Sequence, residues 1–197
     1  MTLQDYIVLF SNYLNKNNDI SEPKSLYEPM QYILDLGGKR IRPVLALISA
    51  EGFGGKVQDA LSAAMAVEVF HNFTLLHDDI MDHAQLRRGK PTVHKKWNVN
   101  TAILSGDVMV IKAYHYLENY EPNTFKSLTQ LLTKTAIEVC EGQQYDMDFE
   151  IQKEVTLPHY MEMIRLKTAV LLGASMQMGA IVAKASQENQ QKIYDFG

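Results

Sequence analysis

The sequence predicts an all-α protein, and three observations carry that reading. Apolar residues recur at steps of three and four over long stretches, as on one face of a helix. No segment offers a sustained alternation of β-branched residues, the signature of a half-buried strand. Glycine and proline fall at intervals that leave long helices joined by short loops, which makes a bundle whose site lies between facing helices. Residues 3–15 form the first amphipathic helix (Leu3, Ile7, Phe10, Leu14), followed by the polar NKNNDIS. Ser21 is the expected N-cap of a helix through Leu36, with Pro23 in its first turn. Gly37-Gly38 ends that helix and lets the backbone come close to a ligand. Pro43 opens the next, VLALISAEGF, which stops at Gly54-Gly55. The central helix runs from about Asp59 to Asp82, roughly 36 Å at 1.5 Å per residue. A loop then carries Arg87 to about Trp97, and helical patterns cover 101–119, 124–148, 157–184 and 187 onward. Thr156 is the expected cap of the helix at 157, with Pro158 in its first turn. Nothing marks a linker or a repeat, so residues 1–197 read as one domain.

At 197 residues and 46% hydrophobic, the chain can bury a substantial core. A formal charge of −4 argues against nucleic acid or an anionic membrane surface as the main partner. The single cysteine, Cys140, excludes an intramolecular disulfide, fits a reducing compartment and reads as a packing residue. MTLQDYIVLF lacks the basic and apolar regions of a secretory signal. The longest apolar stretch, 169–183, is too short for a membrane span and contains Ser175 and Gln177. A cytoplasmic protein without a membrane span is expected.

The chemistry concentrates in residues 68–88, EVFHNFTLLHDDIMDHAQLRR. Glu68, His71, Leu75, Asp78 and Asp82 advance by three and four, so they share a helix face, with Asp79 one position round. Such clustered acids are disfavoured twice. Like charges at i,i+4 repel by about 0.2–0.5 kcal/mol, and carboxylates at a helix C-terminus oppose its dipole. A bound hard cation reverses both penalties, and Mg2+ takes one or two carboxylates together with substrate phosphates. Arg87 and Arg88 suit the phosphate half of such a site. The bland alternative is a solvated acidic helix end.

HDDIMDHAQLRRGKPTVH (77–94) resembles the first aspartate-rich motif of the trans-isoprenyl diphosphate synthases, the polyprenyl synthetase family. Three further blocks of that family stand in order: GGKRIRP at 37–43, GQQYD at 142–146 and KT at 167–168. The resemblance implies the isoprenoid synthase helical bundle and a Mg2+-dependent prenyltransferase, farnesyl or geranylgeranyl diphosphate synthase-like. Isopentenyl diphosphate would be condensed with an allylic diphosphate to a short- or medium-chain all-trans prenyl diphosphate, geranylgeranyl before farnesyl, with release of pyrophosphate. The full-length form would be a homodimer.

Carried over residue by residue, the resemblance makes Asp78 and Asp82 the Mg2+ ligands, with Asp79 acting on its neighbours rather than on the metal. Lys39, Arg42, His71 and Arg88 would bind isopentenyl diphosphate, Arg40 being the weaker member of its run. Arg87, Gln143, Asp146, Lys167 and Thr168 would face the allylic diphosphate. Asp78, Asp79, Asp82, Arg87 and Lys167 would carry catalysis, and Glu68 would orient a neighbour. Lys167 stands among Met163, Ile164, Leu166, Val170 and Leu171, where a cation needs an anionic partner. Phe73, five positions before Asp78, with Thr74 and Phe70, would floor the tunnel that sets product length. The plainer alternatives are a solvated basic patch for KRIR, surface polars for Gln143 and Asp146, and core aromatics for Phe70 and Phe73. Met176, Met178 and Leu171-Leu172 read as packing, and His77, His83 and His94 receive no role. Asp107 in SGDVM fits helix packing as well as chemistry.

The match ends at KIYDFG, where family members continue into a second aspartate-rich motif. The expectation is therefore an N-terminal part of a longer enzyme, inactive by itself. A non-catalytic subunit that regulates a partner synthase is the rival reading, but such a subunit has no need of Lys39, Arg42, Asp78, Asp82, Arg87, Arg88 or Lys167. A di-metal carboxylate bundle is disfavoured because Glu68-x-x-His71 is its only matching pair.

Overall fold

The computed structural model describes residues 1–18 and 21–197. Helix α1 spans Leu3–Asn17, held at its start by a capping box in which Thr2 and Asp5 satisfy each other's backbone amides. It lays Tyr6, Phe10 and Leu14 on the core. Helix α2 (Lys24–Asp35) begins later than expected: Pro23 holds the N-cap place with no side-chain bond, and Ser21 caps nothing. Proline pushes the residue before it into extended backbone, so the helix cannot include Glu22. Helix α3 spans Ile41–Gly52.

A 3₁₀ turn, Val57–Ala60, leads into the central helix α4, Leu61–Met81. Its first half is apolar on every side, and Ala63, Ala64, Met65, Ala66, Val67, Val69 and Phe70 are no more than 1% exposed. A helix without a polar face must lie inside a protein. Helices α3, α6 and α9 surround it.

The expected loop after α4 contains more structure. Leu86–Arg87 and Lys90–Pro91 pair as a two-residue antiparallel hairpin, β1 and β2. Arg88 (φ 52°) and Gly89 (φ 76°) make its turn, with both central residues left-handed as a tight hairpin requires. A short helix α5 (Val93–Lys96) follows, then α6 (Val99–His115), whose first turn is capped by Asn98.

Helix α7 is 30 residues long, Pro122–Ile151, with Glu121 as cap and Pro122 at its first position. The expected single helix over 157–184 is three pieces. Helix α8 (Leu157–Ile164), capped by Thr156, passes into a π-turn (Arg165–Ala169) and then α9 (Val170–Val182). Helix α10 (Gln187–Phe196) packs on α9. Met176 and Met178 of α9 are buried, as is Leu171. Among the described residues no helix is long and apolar enough to cross a membrane.

Helix α1 offers a direct test of this packing. Phe10 is fully buried whereas Val8 is 49% exposed on the opposite face. Phe10→Ala should destabilise the fold by about 3–5 kcal/mol, and Val8→Ala by no more than about 0.5 kcal/mol. Urea unfolding followed by circular dichroism distinguishes these; equal losses would mean that α1 does not dock as described.

Candidate active site

The loop between α2 and α3 shapes a basic pocket. Gly37 and Gly38 have positive φ (78° and 144°), and a side chain on Gly38 would lie 2.8 Å from the Arg88 guanidinium. Arg88 therefore rests directly on that backbone. Arg40, itself left-handed, turns inward to pair with Glu68 of α4 and donates to the Leu34 carbonyl at 2.7 Å. Glu68 also accepts from Asn72 at 3.1 Å. Arg40 and Glu68 thereby satisfy each other inside the protein, with side chains only 8% and 6% exposed. Lys39, Arg42 and Arg88 are left to line a 340 Å³ cavity with His71. Three cations with their one nearby carboxylate already engaged make a site for an anion.

Arg42 Nη1 lies 3.1 Å from His71 Nε2. Guanidinium can only donate, so that nitrogen accepts and the ring proton sits on Nδ1. Burial, reinforced by Arg42, Arg88, Arg87 and Arg40, drives the His71 pKa down to about 3. The imidazole is thus neutral. Arg42 Nε is buried without a partner, a donor in reserve.

At the other end of the same face, the three aspartates part company. Asp79 is 2% exposed and accepts two 2.8 Å bonds from Arg87, a bidentate pair that ties the hairpin to α4. Asp78 stays half-buried; burial pushes its carboxyl up to about 6, with Lys167 opposing and Asp82 adding to the shift. Asp82 caps the helix in the open. Asp78 and Asp82, one turn apart, are the two carboxylates free to bind a cation. Among the described residues no group of three or more His, Cys, Asp or Glu forms a metal cage. The donor set suits a hard cation that completes its shell with water and a phosphate.

The facing wall comes from α7 and the π-turn. Lys167 Nζ reaches Asp146 at 2.5 Å, both side chains being about one-third exposed (27% and 38%). Gln143 is buried with its Oε1 unpartnered. Arg42, His71, Thr74, Asp78, Gln143, Lys167 and Thr168 together enclose a 130 Å³ cavity between the basic pocket and the acidic helix end. Beside it, sharing Thr74, Asp78, Val139 and Gln143 as walls, lies a 270 Å³, largely apolar cavity between α4 and α7, also lined by Phe73, His77, Met81, Cys140 and Met147.

A sequence model of the family described as polyprenyl synthetase matches residues 23–197. The chain belongs to the polyprenyl synthetase family. It is 42% identical to a geranylgeranyl diphosphate synthase of Methanosarcina mazei, across 100% of this chain and 63% of that protein. A geranylfarnesyl diphosphate synthase of Natronomonas pharaonis is 39% identical, with 90% and 58% covered. Among solved structures, a geranylgeranyl pyrophosphate synthase superposes with TM-score 0.98 at 55% identity, over 100% of this chain and 60% of that one. One from Geoglobus acetivorans gives 0.96 at 37% identity, over 99% and 64%. The chain spans about three fifths of the length of the relatives it matches. The all-α bundle is thus the fold of these polyprenyl synthetase structures.

Against this family background, the motif residues converge although they come from α2–α3, α4, the hairpin, α7 and the π-turn. Two expectations need revision. Phe70 does not line the apolar cavity; it is 1% exposed and packs behind Phe73, ring centroids 5.6 Å apart. Cys140, expected as a packing residue, is exposed and forms part of the cavity wall. Cys140, Met147, Met81 and His77 escaped assignment as lining residues. The signal for the first two was the i, i+3, i+7 spacing of Cys140, Gln143 and Met147 on α7. His77 also contacts the Ile103 carbonyl at 3.2 Å and stands 4.0 Å from the exposed Asp107.

The neutral His71 can be checked directly. Its folded pKa of about 3 lies below its ordinary 6.5, so the unfolded chain binds the extra proton first. The contribution of His71 is complete above about pH 6.5 and declines toward pH 3, by up to about 1.4 kcal/mol per pH unit. Its Cε1–H resonance should stay fixed from pH 8 to pH 5. A sigmoid centred near 6.5 would refute the buried Arg42–His71 contact.

Proposed function

We propose that this chain supplies the diphosphate-binding half of a prenyltransferase joining isopentenyl diphosphate to an allylic diphosphate, with geranylgeranyl diphosphate as the favoured product and farnesyl next. The observation that carries the reading is the small central cavity: one wall belongs to the basic pocket, another to the acidic end of α4, and it shares walls with an apolar channel. Two anions and a hydrocarbon tail fit that plan. The names of the relatives, geranylgeranyl and geranylfarnesyl diphosphate synthases, support the same chemistry.

In this reading Lys39, Arg42, Arg88 and the neutral His71 hold isopentenyl diphosphate, with its double bond toward the central cavity. Lys167, Thr168 and Gln143 grip the allylic diphosphate. Asp78 and Asp82 would hold Mg2+, which when bound offsets the charge growing on the leaving diphosphate. Lys167 does the same work as a fixed cation. Arg87, locked by Asp79, keeps a positive field beside the acidic helix end. As the allylic C–O bond breaks, the resulting cation is attacked by the isopentenyl double bond, and a proton is then lost. The apolar channel receives the tail and keeps water from the cation. Phe73 stands as its floor, with the small Thr74 beside it.

The two anion sites separate kinetically. In the full-length protein, Lys39→Ala or Arg42→Ala should raise the KM for isopentenyl diphosphate, and Lys167→Ala should act on kcat and the allylic substrate. Each loss is expected to be on the order of 10²–10³ in kcat/KM. Phe73→Ala should lengthen the products. Identical substrate dependence of the Lys39 and Lys167 variants, or unchanged products from a folded Phe73 variant, would contradict these assignments.

A homodimer is part of the proposal. Val99, Ile103, Leu104 and Ile111 of α6 are 42–68% exposed, with the exposed Asp107 between Ile103 and Ile111. An exposed apolar patch of this kind suits a subunit interface. Ile111→Asp should convert a sedimenting dimer to monomer; a wild-type monomer at micromolar concentration would exclude the dimer.

A further inference from the structure

Helix α7 and the π-turn meet more closely than side chains allow. Gly142 is buried at their contact, and a Cβ built on it would fall 2.3 Å from the Lys167 amide nitrogen. It would also lie 2.7 Å from both the Leu166 carbonyl carbon and the Lys167 Cα. All three obstacles are backbone, so no rotamer change relieves the clash. Any side chain at 142 must part the two segments.

One helical turn further along α7 stands Asp146, the partner of the Lys167 ammonium. Residues i and i+4 share a helix edge. One edge of α7 therefore holds Lys167 at two points, its backbone on Gly142 and its Nζ on Asp146. The turn that presents it is widened: the Val170 amide reaches back five residues to the Arg165 carbonyl. A π-turn carries one residue more than the α-helix around it, and such turns gather at functional sites. That extra residue sets the phase at which Lys167 and Thr168 face the central cavity while α8 and α9 keep their own packing.

We propose that Gly142 is a positioning residue: its missing side chain lets α7 rest on the Lys167 backbone and so sets where the Lys167 ammonium and Thr168 hydroxyl stand beside Asp78. The inference rests on the prenyltransferase reading for its catalytic consequence, but not for its structural one. Lys167 is displaced when Gly142 gains a methyl group, whatever the substrate.

The test compares Gly142→Ala with Gly173→Ala. Gly173 is a matched control away from the site: its Cβ would fall 2.6 Å from the Tyr194 carbonyl oxygen, between α9 and α10. The first readout is the ¹H–¹⁵N signal of the Lys167 ammonium, resolved when it is ion-paired and assigned with Lys167→Arg. Gly142→Ala should move that signal to the position of free lysines, and Gly173→Ala should leave it. The second readout is steady-state kinetics of the full-length protein. A displacement of about 1 Å can cost about 10²-fold, so Gly142→Ala should lower kcat/KM for the allylic substrate by at least tenfold while the KM for isopentenyl diphosphate holds. Gly173→Ala should lower thermal stability with both KM values unchanged. If Gly142→Ala does not fold, deletion of Ala169 removes the extra residue of the turn with α7 intact, and should produce the same allylic defect. An unmoved ammonium signal, or equal loss for both substrates, overturns the proposal. A displaced signal in a protein whose wild type makes no prenyl diphosphate supports the positioning role and sinks the functional reading.

Discussion

Asp79 is almost fully withdrawn from water at the end of the central helix, where a polar side chain costs free energy unless it is hydrogen-bonded. Arg87 closes on it through two parallel bonds of 2.8 Å. The consequences spread outward from that pair. The hairpin is pinned to α4, its left-handed turn throws Arg88 back across Gly38, and the glycine loop is held against the basic pocket. Removing one partner of a buried pair costs about 3–5 kcal/mol, because the other is left charged and dry. The placing of both the basic pocket and the acidic helix end therefore depends on this one contact.

The same constraint sorts the remaining charges. Arg40 and Glu68 neutralise each other under the basic pocket, which ties the α2–α3 loop to α4. Lys167 and Asp146 also pair, but with much more exposure, where an ion pair is worth only about 0–1 kcal/mol. An anion can compete for that lysine at little cost. Lys39, Arg42, Arg88, Asp78 and Asp82 have no such full engagement. The groups that remain available are those a pair of diphosphates and a hard cation require.

Helix α7 contributes differently on its successive edges. Asp146 and Gly142 hold the π-turn, Gln143 looks into the central cavity, and Val139, Cys140 and Met147 make one side of the apolar channel. Phe73 and Thr74 of α4 make the other side, with Phe70 packed behind Phe73. A single pair of long helices thus lines both the polar central cavity and the apolar space beside it.

The sequence by itself determined the helices, and the reason is local. Periodicity of apolar residues, the Thr2 and Thr156 caps, Pro122 at a first position and the spacing of Asp78 and Asp82 all act within one or two turns. The motif blocks also named half of the residues that line the central cavity: Arg42, Asp78, Gln143, Lys167 and Thr168. Tertiary structure decided which of those residues remain free. Arg42 meets His71 across 29 positions, Arg40 meets Glu68 across 28, and Lys167 meets Asp146 across 21. No helical period encodes such pairings. It also decided the π-turn in RLKTA, the exposure of Cys140 and the burial of Phe70, since each follows from what a neighbouring helix leaves room for. Local preferences build the elements; desolvation and close packing between distant segments choose which charges are spent on the fold and which are left for chemistry.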